Sequence, residues 1–321
     1  MTVLILAQEA DAPTDAVVAE LTRRGVEVFR ADTSWFPRQL VLDAELVDGR
    51  WAGTLSTDHR TVDLRDIRSV WYRDPSAFVF PPELTEVERA YAHREARLGF
   101  GGVLAALPDV LWVNHPNRAA DAMYKPLQLT TAASCGLHVV PTLVTNSPTA
   151  VRRFAATLPG GVVHKSFGPN TLTEGGAVKV AYTRRFEPAD LDELRGVRST
   201  ALQAQAWVDK GVEARVVVLG ERMFTIVITA NSAAAHEDWR ADFDALAYEL
   251  VDTPPEVEAG IRAYMRTLGL AYAALDFGIE RDTGRFVFYE SNSAGQYGWL
   301  ESQTGTPITA ALADLLTGVR T

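Results

Sequence analysis

The residues best suited to chemistry lie near the C-terminus. Asp276 sits inside the apolar run Ala273-Ala274-Leu275-Asp276-Phe277-Gly278-Ile279, and Glu290 and Asn292 close the run Arg285-Phe286-Val287-Phe288-Tyr289-Glu290-Ser291-Asn292-Ser293. Each run reads as a short buried strand, and 280–284, with Asp282-Thr283-Gly284, reads as the hairpin turn between them. Glu290 and Asn292 are two apart, so their side chains share a face. One carboxylate on a strand, facing a carboxylate and an amide on its partner, forms a set of hard oxygen ligands. Such a set suits Mg²⁺, which takes one or two carboxylates and completes its shell with water and substrate phosphates. A hairpin whose polar residues merely face water is the alternative. The apolar remainder of both strands speaks against it, because buried carboxylates need partners.

Cations precede this set in the chain. Lysine is scarce: Lys125, Lys165, Lys179 and Lys210 are the only four among 31 basic residues. A codon bias toward arginine accounts for the scarcity, so a retained lysine marks a place for a compact point charge, such as one on phosphate. Lys125 falls on a predicted helix. Lys165 falls inside the strand Val162-Val163-His164-Lys165-Ser166-Phe167, where an inward ammonium is costly unless it meets an anion. The polar loop 168–176 follows at once and could close over phosphates with backbone N–H groups. Arg215 sits on a later strand and Arg240 on a polar segment. Each basic residue alone reads as a solvated surface charge. Their order around Asp276, Glu290 and Asn292 points to one shared anion site.

The elements that must position these groups follow from pattern. A strand at 3–7, a helix at 11–24 closed by Gly25, and a strand at 26–30 form a β-α-β opening and a parallel sheet. The glycine-rich phosphate fingerprint is missing there, which excludes a dinucleotide fold. Residues 40–63 read as antiparallel strands turning at Asp48-Gly49. Val70-Trp71-Tyr72-Arg73 is a strand broken at Pro75. Thr85 and Glu88 form a capping box for a helix over 85–107. Gly99, Gly101 and Gly102 within it predict close packing or a kink. Further on, the pattern predicts a helix at 121–135, strands at 139–145, 162–167 and 177–183, a helix begun by Ser147-Pro148, a helix at 188–194 and a strand at 201–208. A hairpin at 213–229 turns at Gly220-Glu221. The stretch 232–240 reads as polar and mobile, 255–268 as a helix ended by Gly269, and 308–316 as the last helix.

Composition narrows the function. At 321 residues the chain holds two or three domains. A net charge of -10 argues against a nucleic-acid binder. Cys135 is the sole cysteine, so there is no internal disulfide and no thiolate metal site, in keeping with a reducing cytosol. The opening Met1-Thr2-Val3-Leu4-Ile5-Leu6-Ala7 has no basic n-region and too short an apolar run for a signal peptide. No stretch approaches a membrane span. The expected setting is cytoplasmic, with no nucleic acid and no membrane as partner.

Taken in order, these residues resemble the ATP-grasp superfamily over most of the chain. Lys125 and Lys165 match its two lysines, Gln205-Ala206-Trp207-Val208 its hinge strand, Glu213 and Arg215 its acidic-x-Arg strand, and Asp276, Glu290 and Asn292 its Asp…Glu-x-Asn metal set. Narrower signatures resemble the graspetide synthetases, ATP-grasp maturases of ribosomal peptides that include the microviridin ligases. These are Val70-Trp71-Tyr72-Arg73, Trp112-Val113-Asn114-His115-Pro116, Lys125-Pro126-Leu127-Gln128-Leu129, Pro141-Thr142-Leu143-Val144-Thr145-Asn146 and Asp238-Trp239-Arg240. Two positions depart from the pattern: Ala206 stands where the hinge is usually acidic, and Ser166 follows Lys165 where proline is common.

The resemblance implies an α/β, ATP-grasp fold of three subdomains: an N-terminal pre-ATP-grasp α/β domain at 1–118, a central α+β domain at 119–206, and a C-terminal α+β domain at 207–321 that carries the metal site. ATP lies between the last two. It implies a ligase that uses ATP and Mg²⁺ to phosphorylate Asp or Glu side chains of a ribosomal precursor peptide, then joins them to Thr or Ser as an ω-ester, or to Lys as an amide. Lys125 and Lys165 would hold the α- and β-phosphates, Gln205, Ala206, Trp207 and Val208 the adenine, and Glu213 the ribose. Asp276, Glu290 and Asn292 would bind Mg²⁺, while Arg215 and Arg240 would stabilise the γ-phosphoryl group and the acyl phosphate. Arg73 is the candidate contact for a substrate carboxylate, against a structural pair with Asp74 or Glu95. The leader of the precursor is expected on the central domain near 168–194, with Thr183-Arg184-Arg185-Phe186-Glu187 as one candidate. Asp238 is expected as a local partner of Arg240 rather than as part of a metal cluster with His236 and Glu237. A homodimer is the implied assembly. Two other readings stand beside this one: a ligase that adds free amino acids to a peptide, protein tail or small molecule, and a non-catalytic ATP-binding module.

Overall fold

The computed structural model describes residues 1–168, 171–174, 177–180 and 183–319. The chain opens with β1 (Thr2–Ala7), α1 (Ala12–Arg23) and β2 (Glu27–Ala31). Every residue of β1 is buried, as expected of a central parallel strand covered on both faces. Asp11 caps α1, accepting from Thr14 N at 3.0 Å. β3 (Val41–Val47), β4 (Arg50–Ser56) and β5 (Thr61–Asp63) form the expected antiparallel sheet. β6 (Ile67–Arg73) returns beside β1. After α2 (Glu86–Ala105), β7 (Leu111–Val113) completes a parallel sheet of order β2-β1-β6-β7. Arg73 therefore ends a parallel strand, at the carboxyl edge where such sheets receive ligands. The chain turns immediately, with Asp74 at a φ of 46°, a conformation that is strained for a non-glycine residue.

Two expectations fail here. α2 runs unbroken from Glu86 to Ala105, and a Cβ added at Gly99, Gly101 or Gly102 would meet nothing within 4 Å. These glycines neither pack closely nor interrupt the helix. The helix expected over 121–135 begins later, as α4 (Lys125–Ser134), and the stretch before it forms a separate short helix, α3 (Pro116–Asp121). Pro126 has no N–H to bond back to residue 122, and it starts a new helix with Lys125 in its first turn.

The central part holds β8 (Thr142–Thr145), α5 (Pro148–Ala156), β9 (Val162–Lys165), β10 (Thr171–Glu174) and β11 (Ala177–Val180), which form a two-stranded sheet of their own, β12 (Arg184–Arg185), α6 (Pro188–Asp192) and β13 (Leu202–Ala206), and β8, β9, β12 and β13 make the central sheet. Its order is β12-β9-β13-β8. One face is covered by a small core of Val151, Leu194 and Val197, with Phe186, Leu191 and Leu202 against it. The proposed phosphate loop, 168–176, lies partly outside the described residues, at 169–170 and 175–176.

The last part holds β14 (Lys210–Leu219), β15 (Arg222–Ala230), α7 (Ala233–Glu237), β16 (Leu246–Val251), α8 (Pro255–Leu268), β17 (Tyr272–Glu280), β18 (Phe286–Asn292), α9 (Gly298–Thr304) and α10 (Ile308–Thr317). The strands form an antiparallel sheet of order β16-β15-β14-β17-β18. One face packs on α8 and α4, where Val216, Val218 and Leu275 meet Ile261, Tyr264, Leu129 and Ala132. On the other face β14 changes character along its length. Val217 and Leu219 join Val3, Ile5 and Leu312 in the core shared with the N-terminal sheet. Glu213 and Arg215, in phase with them, leave that core and face the central sheet. The stretch 232–240, expected as polar and mobile, carries the short helix α7 and packs through its tryptophan. Trp239 is buried, stacks on Trp299 at 5.1 Å and meets Phe243 edge-on. Among the described residues no helix is long and apolar enough to cross a membrane.

Candidate active site

The hairpin forms as its pattern predicts. β17 and β18 pair antiparallel with Asp276 opposite Glu290, and β14 lies on the other side of β17 with Arg215 opposite Asp276. Directly opposed residues point to the same face, so Arg215, Asp276 and Glu290 make a row across three adjacent strands. The Arg215 guanidinium donates from Nη1 to both carboxylate oxygens of Asp276, at 3.0 and 3.1 Å. Lys125, in the first turn of α4, donates to Glu290 Oε2 at 2.6 Å. Arg240 reaches in from the segment after α7, with Nη2 3.3 Å from Glu290 Oε1 and 3.9 Å from Asp276 Oδ2. Asp238 anchors Arg240 as expected, accepting from its N at 3.1 Å and its Nη1 at 3.3 Å. Asp238 also accepts from Thr183 N at 3.0 Å, which ties this segment to the central sheet.

The electrostatics follow from burial and neighbours. Burial pulls the Glu290 carboxyl up, but Lys125, Arg240 and Lys165 overcome it and hold it down at about 2. For Asp276 burial dominates and pushes the carboxyl up, with Arg215 and Arg240 opposing and Glu290 adding to the rise. Lys165 stands on the facing sheet, its Nζ 3.8 Å from the centre of the Tyr289 ring. Desolvation pulls its ammonium down to about 8, against Glu290 and Glu213. Tyr289 is the extra residue at an irregularity between the 276–290 and 277–288 pairs. Its hydroxyl lies where a Cβ at residue 278 would stand, so Gly278 is required for it to lie flat beneath Lys165.

Gln203 pairs with Lys165 in the ladder between β13 and β9, and Gln205 lies two residues on, so all three share the cleft face. Among the described residues Gln203 Oε1 and Gln205 Oε1 are buried without a donor. The orientation of Gln205 is fixed: Thr142 Oγ1 gives its proton to Val140 O at 3.0 Å and so can only accept from Gln205 Nε2, also at 3.0 Å. In the hinge, Ala206 N is committed to Pro141 O at 2.9 Å and Trp207 N to Gly161 O at 3.0 Å. Glu213 is buried and ion-paired with Lys210, and desolvation still pushes its carboxyl up.

Arg73 is buried, donates to Ala294 O, and has Nε 3.6 Å from Asp11. Asp11 is thus its ionic neighbour, in place of Asp74 or Glu95. Among the described residues its Nη2 is buried without a partner, as is Nε of Arg215. Both arginines border the turn at Gly295, where an added Cβ would lie 2.9 Å from Arg215 Nη2.

These residues fit a nucleotide and a hard cation. Two buried guanidinium edges lacking acceptors suit an anion, and two buried amide carbonyls lacking donors suit a base that carries N–H groups. Among the described residues no group of three or more His, Cys, Asp or Glu side chains could by itself hold an ion. Asp276, Glu290 and Asn292 offer two carboxylates and an amide whose Oδ1 accepts once, from Ala294 N at 3.1 Å. That matches Mg²⁺, which shares its shell with phosphates, rather than an all-protein cage. Pattern reading missed Lys210, Gln203, Gln128 and Asn114. Lys210 was visible as one of four lysines; the amides carry no charge signal.

Comparison with known proteins bears on the fold. Residues 2–120 match the family model described as the MvdD pre-ATP grasp domain. No curated protein sequence matches the chain. Among solved structures, a RiPP-associated ATP-grasp ligase from Chryseobacterium gregarium, in complex with ADP and a leader and core peptide, is 28% identical, with 100% of this chain and 97% of that one covered and a TM-score of 0.90. The macrocyclase MdnC from Microcystis aeruginosa MRC, bound with precursor peptide MdnA, is 27% identical, with coverage of 99% and 100% and a TM-score of 0.83. MdnB of the same organism is 29% identical, with 98% of each chain covered and a TM-score of 0.79. The chain has the ATP-grasp fold with a pre-ATP-grasp domain at its N-terminus.

Proposed function

We infer that the chain is an ATP-grasp ligase of the graspetide-synthetase kind, one that phosphorylates Asp or Glu side chains of a ribosomal precursor peptide and joins them to Thr or Ser as esters, or to Lys as amides. The observation that carries this reading is the Arg215–Asp276–Glu290 row flanked by Lys125 and Arg240, facing Lys165 across the cleft. In the first step a substrate carboxylate oxygen attacks the γ-phosphorus of ATP, the bond to the bridging oxygen breaks, and ADP leaves. In the second a hydroxyl or amine attacks the acyl carbon, phosphate leaves, and the nucleophile gives up its proton to solvent. No enzyme nucleophile is needed; the protein supplies position and charge.

Lys125 and Lys165 would hold the α- and β-phosphates, and Arg215 and Arg240 the transferring group. Mg²⁺ on Asp276, Glu290 and Asn292 would neutralise phosphate charge. Gln205, Ala206, Trp207 and Val208 would line the base, with the free carbonyls of Gln203 and Gln205 facing its amino group, and Glu213 would take the ribose. Arg73, at the edge of the N-terminal sheet, would bind the substrate carboxylate through its unpartnered edge. The leader would lie on the central domain at 168–194. On its outer face a cavity of about 260 Å³ is floored by Phe186, Val197 and Leu202 and rimmed by Asp190 and Glu193. A cytoplasmic homodimer with divisions near 118 and 206 completes the reading. The packing of Leu129 and Ala132 into the C-terminal core favours counting α4 with that body.

The test is mass spectrometry of the peptide encoded beside the gene after incubation with ATP and Mg²⁺. Loss of one water per crosslink supports the reading, and an unchanged peptide mass with the correct partner sinks it. A gain of one amino-acid residue would point instead to a ligase for free amino acids.

A further inference from the structure

The strand that carries Glu290 and Asn292 is held from outside by two side-chain amides. β18 is an edge strand, so its outward backbone groups lack a neighbouring strand. At its middle the chain supplies one locally, Phe288 N donating to His138 O at 2.8 Å. At Ser291 the neighbour is a side chain. Ser291 N donates to Gln128 Oε1 at 3.0 Å, and Gln128 Nε2 donates to Ser291 O at 2.9 Å. A primary amide presenting its carbonyl and N–H on one edge reproduces a ladder step. The second Nε2 hydrogen goes to Ala122 O at 2.5 Å. At Ser293 the neighbour is Asn114. Its Nδ2 donates to Ser293 O and Tyr272 O, each at 2.8 Å, and its Oδ1 accepts from Ala271 N at 2.7 Å and Tyr272 N at 3.0 Å. Gln128 and Asn114 are 1% and 2% exposed, and flipping either amide would set donor against donor.

We propose that Gln128 and Asn114 are positioning residues that set the spacing of the metal ligands Glu290 and Asn292. Residues 291 and 293 alternate with 290 and 292, so holding the outward peptides aims the inward carboxylate and amide. Gln128 lies one turn after Lys125 on α4. The same helix thereby carries the cation on Glu290 and the amide on Ser291, and its register against β18 is set whether or not Glu290 is charged. Asn114 joins the same strand end to the N-terminal domain through β7, so all parts of the chain except the central sheet converge on the ligand pair.

This inference rests on the Mg²⁺-nucleotide reading, and its test separates the two. Binding of Mn²⁺ in the presence of ADP is measured by the electron paramagnetic resonance of the ion, for wild type and for Gln128→Met, which keeps volume and loses the amide. The Mn²⁺ dissociation constant should rise about tenfold, the lower end of what outer-shell partners give, while metal-free ADP affinity and the KM for the peptide stay unchanged. A folded variant with wild-type Mn²⁺ affinity overturns the proposal. If Gln128→Met does not fold, Gln128→Glu, which keeps the bond from Ser291 N, carries the same expectation. Failure of both to fold assigns Gln128 a purely structural role and also overturns it. Wild-type protein that binds no Mn²⁺ with ADP would instead refute the functional reading.

Discussion

The two sheets that face each other across the cleft are built on opposite terms. On the C-terminal sheet the charges are already paired: Arg215 with Asp276, Lys125 and Arg240 with Glu290, Lys210 with Glu213. That sheet is packed on both faces. Among the described residues the central sheet packs on a small cluster of Val151, Leu194 and Val197, holds Lys165 against an aromatic ring, and leaves the carbonyls of Gln203 and Gln205 without donors. Polar groups buried in a low dielectric are costly when unpaired. One sheet thus holds its charged row together by ion pairs between its own side chains and their neighbours. The other carries unmet polar groups that a ligand would satisfy.

The largest effect should separate chemistry from this contrast. Glu290→Ala removes the carboxylate at the edge-strand end of the row, and product formation should fall at least about a hundredfold, as for loss of one transition-state charge partner. Turnover near wild type, followed by peptide mass, would break the assignment of the row as catalytic. Stability then sharpens the contrast. Arg215→Met leaves Asp276 buried without its main cation and should cost about 3–5 kcal/mol in urea unfolding. Lys165→Met should also abolish activity, yet it removes a poorly solvated ammonium with no carboxylate bonded to it among the described residues and should raise stability by about 1 kcal/mol. Equal and opposite signs are not required; a loss of stability at both positions would end the comparison.

How much of this was legible depended on whether a residue's role was local. The hairpin, with Asp276, Glu290 and Asn292 on one face, followed from period and turn chemistry, because strand alternation fixes side-chain direction. The same alternation in Glu213-Ala214-Arg215-Val216-Val217-Val218-Leu219 marks the change from charged to apolar face, once the neighbour at each end is known. What the sequence hid was long-range. Trp239 orders the segment around Arg240 only because Trp299 comes to lie beside it, so a polar composition read as mobility. Gln128 and Asn114 bond to backbone more than 150 positions away, a relation no local pattern encodes. Asp11 beside Arg73 likewise depends on the crossover of the parallel sheet, whereas Asp74 and Glu95 were merely nearer in the chain.

The pH dependence should divide the sheets again. Lys165 titrates at about 8 in the folded chain against an ordinary value of about 10.4. Between these values the unfolded chain holds a proton that the folded chain lacks, so the Lys165 contribution makes stability rise with pH across that window. Over the same interval its charge is lost, so the KM for ATP should rise while the fold gains stability. In Lys165→Met the rise of stability with pH should flatten. A KM for ATP that stays level from about pH 8 to about pH 10 would show that Lys165 does not contact phosphate.

The smallest expected effect tests the unmet acceptors directly. Gln203 lies opposite Lys165 and is 3% exposed. If its carbonyl receives the amino group of adenine, Gln203→Leu should reduce the preference for ATP over GTP by about tenfold, the scale of one buried hydrogen bond. Stability should hold or rise slightly, because the substitution removes a buried acceptor that has no donor in the free protein. The corresponding removal of an amide on the other side, at Gln128, exposes three backbone partners and should lower stability. Amides of one chemical type would then differ in sign according to which sheet they serve. An unchanged nucleotide preference in Gln203→Leu would mean that the central sheet's free carbonyls await something other than the base.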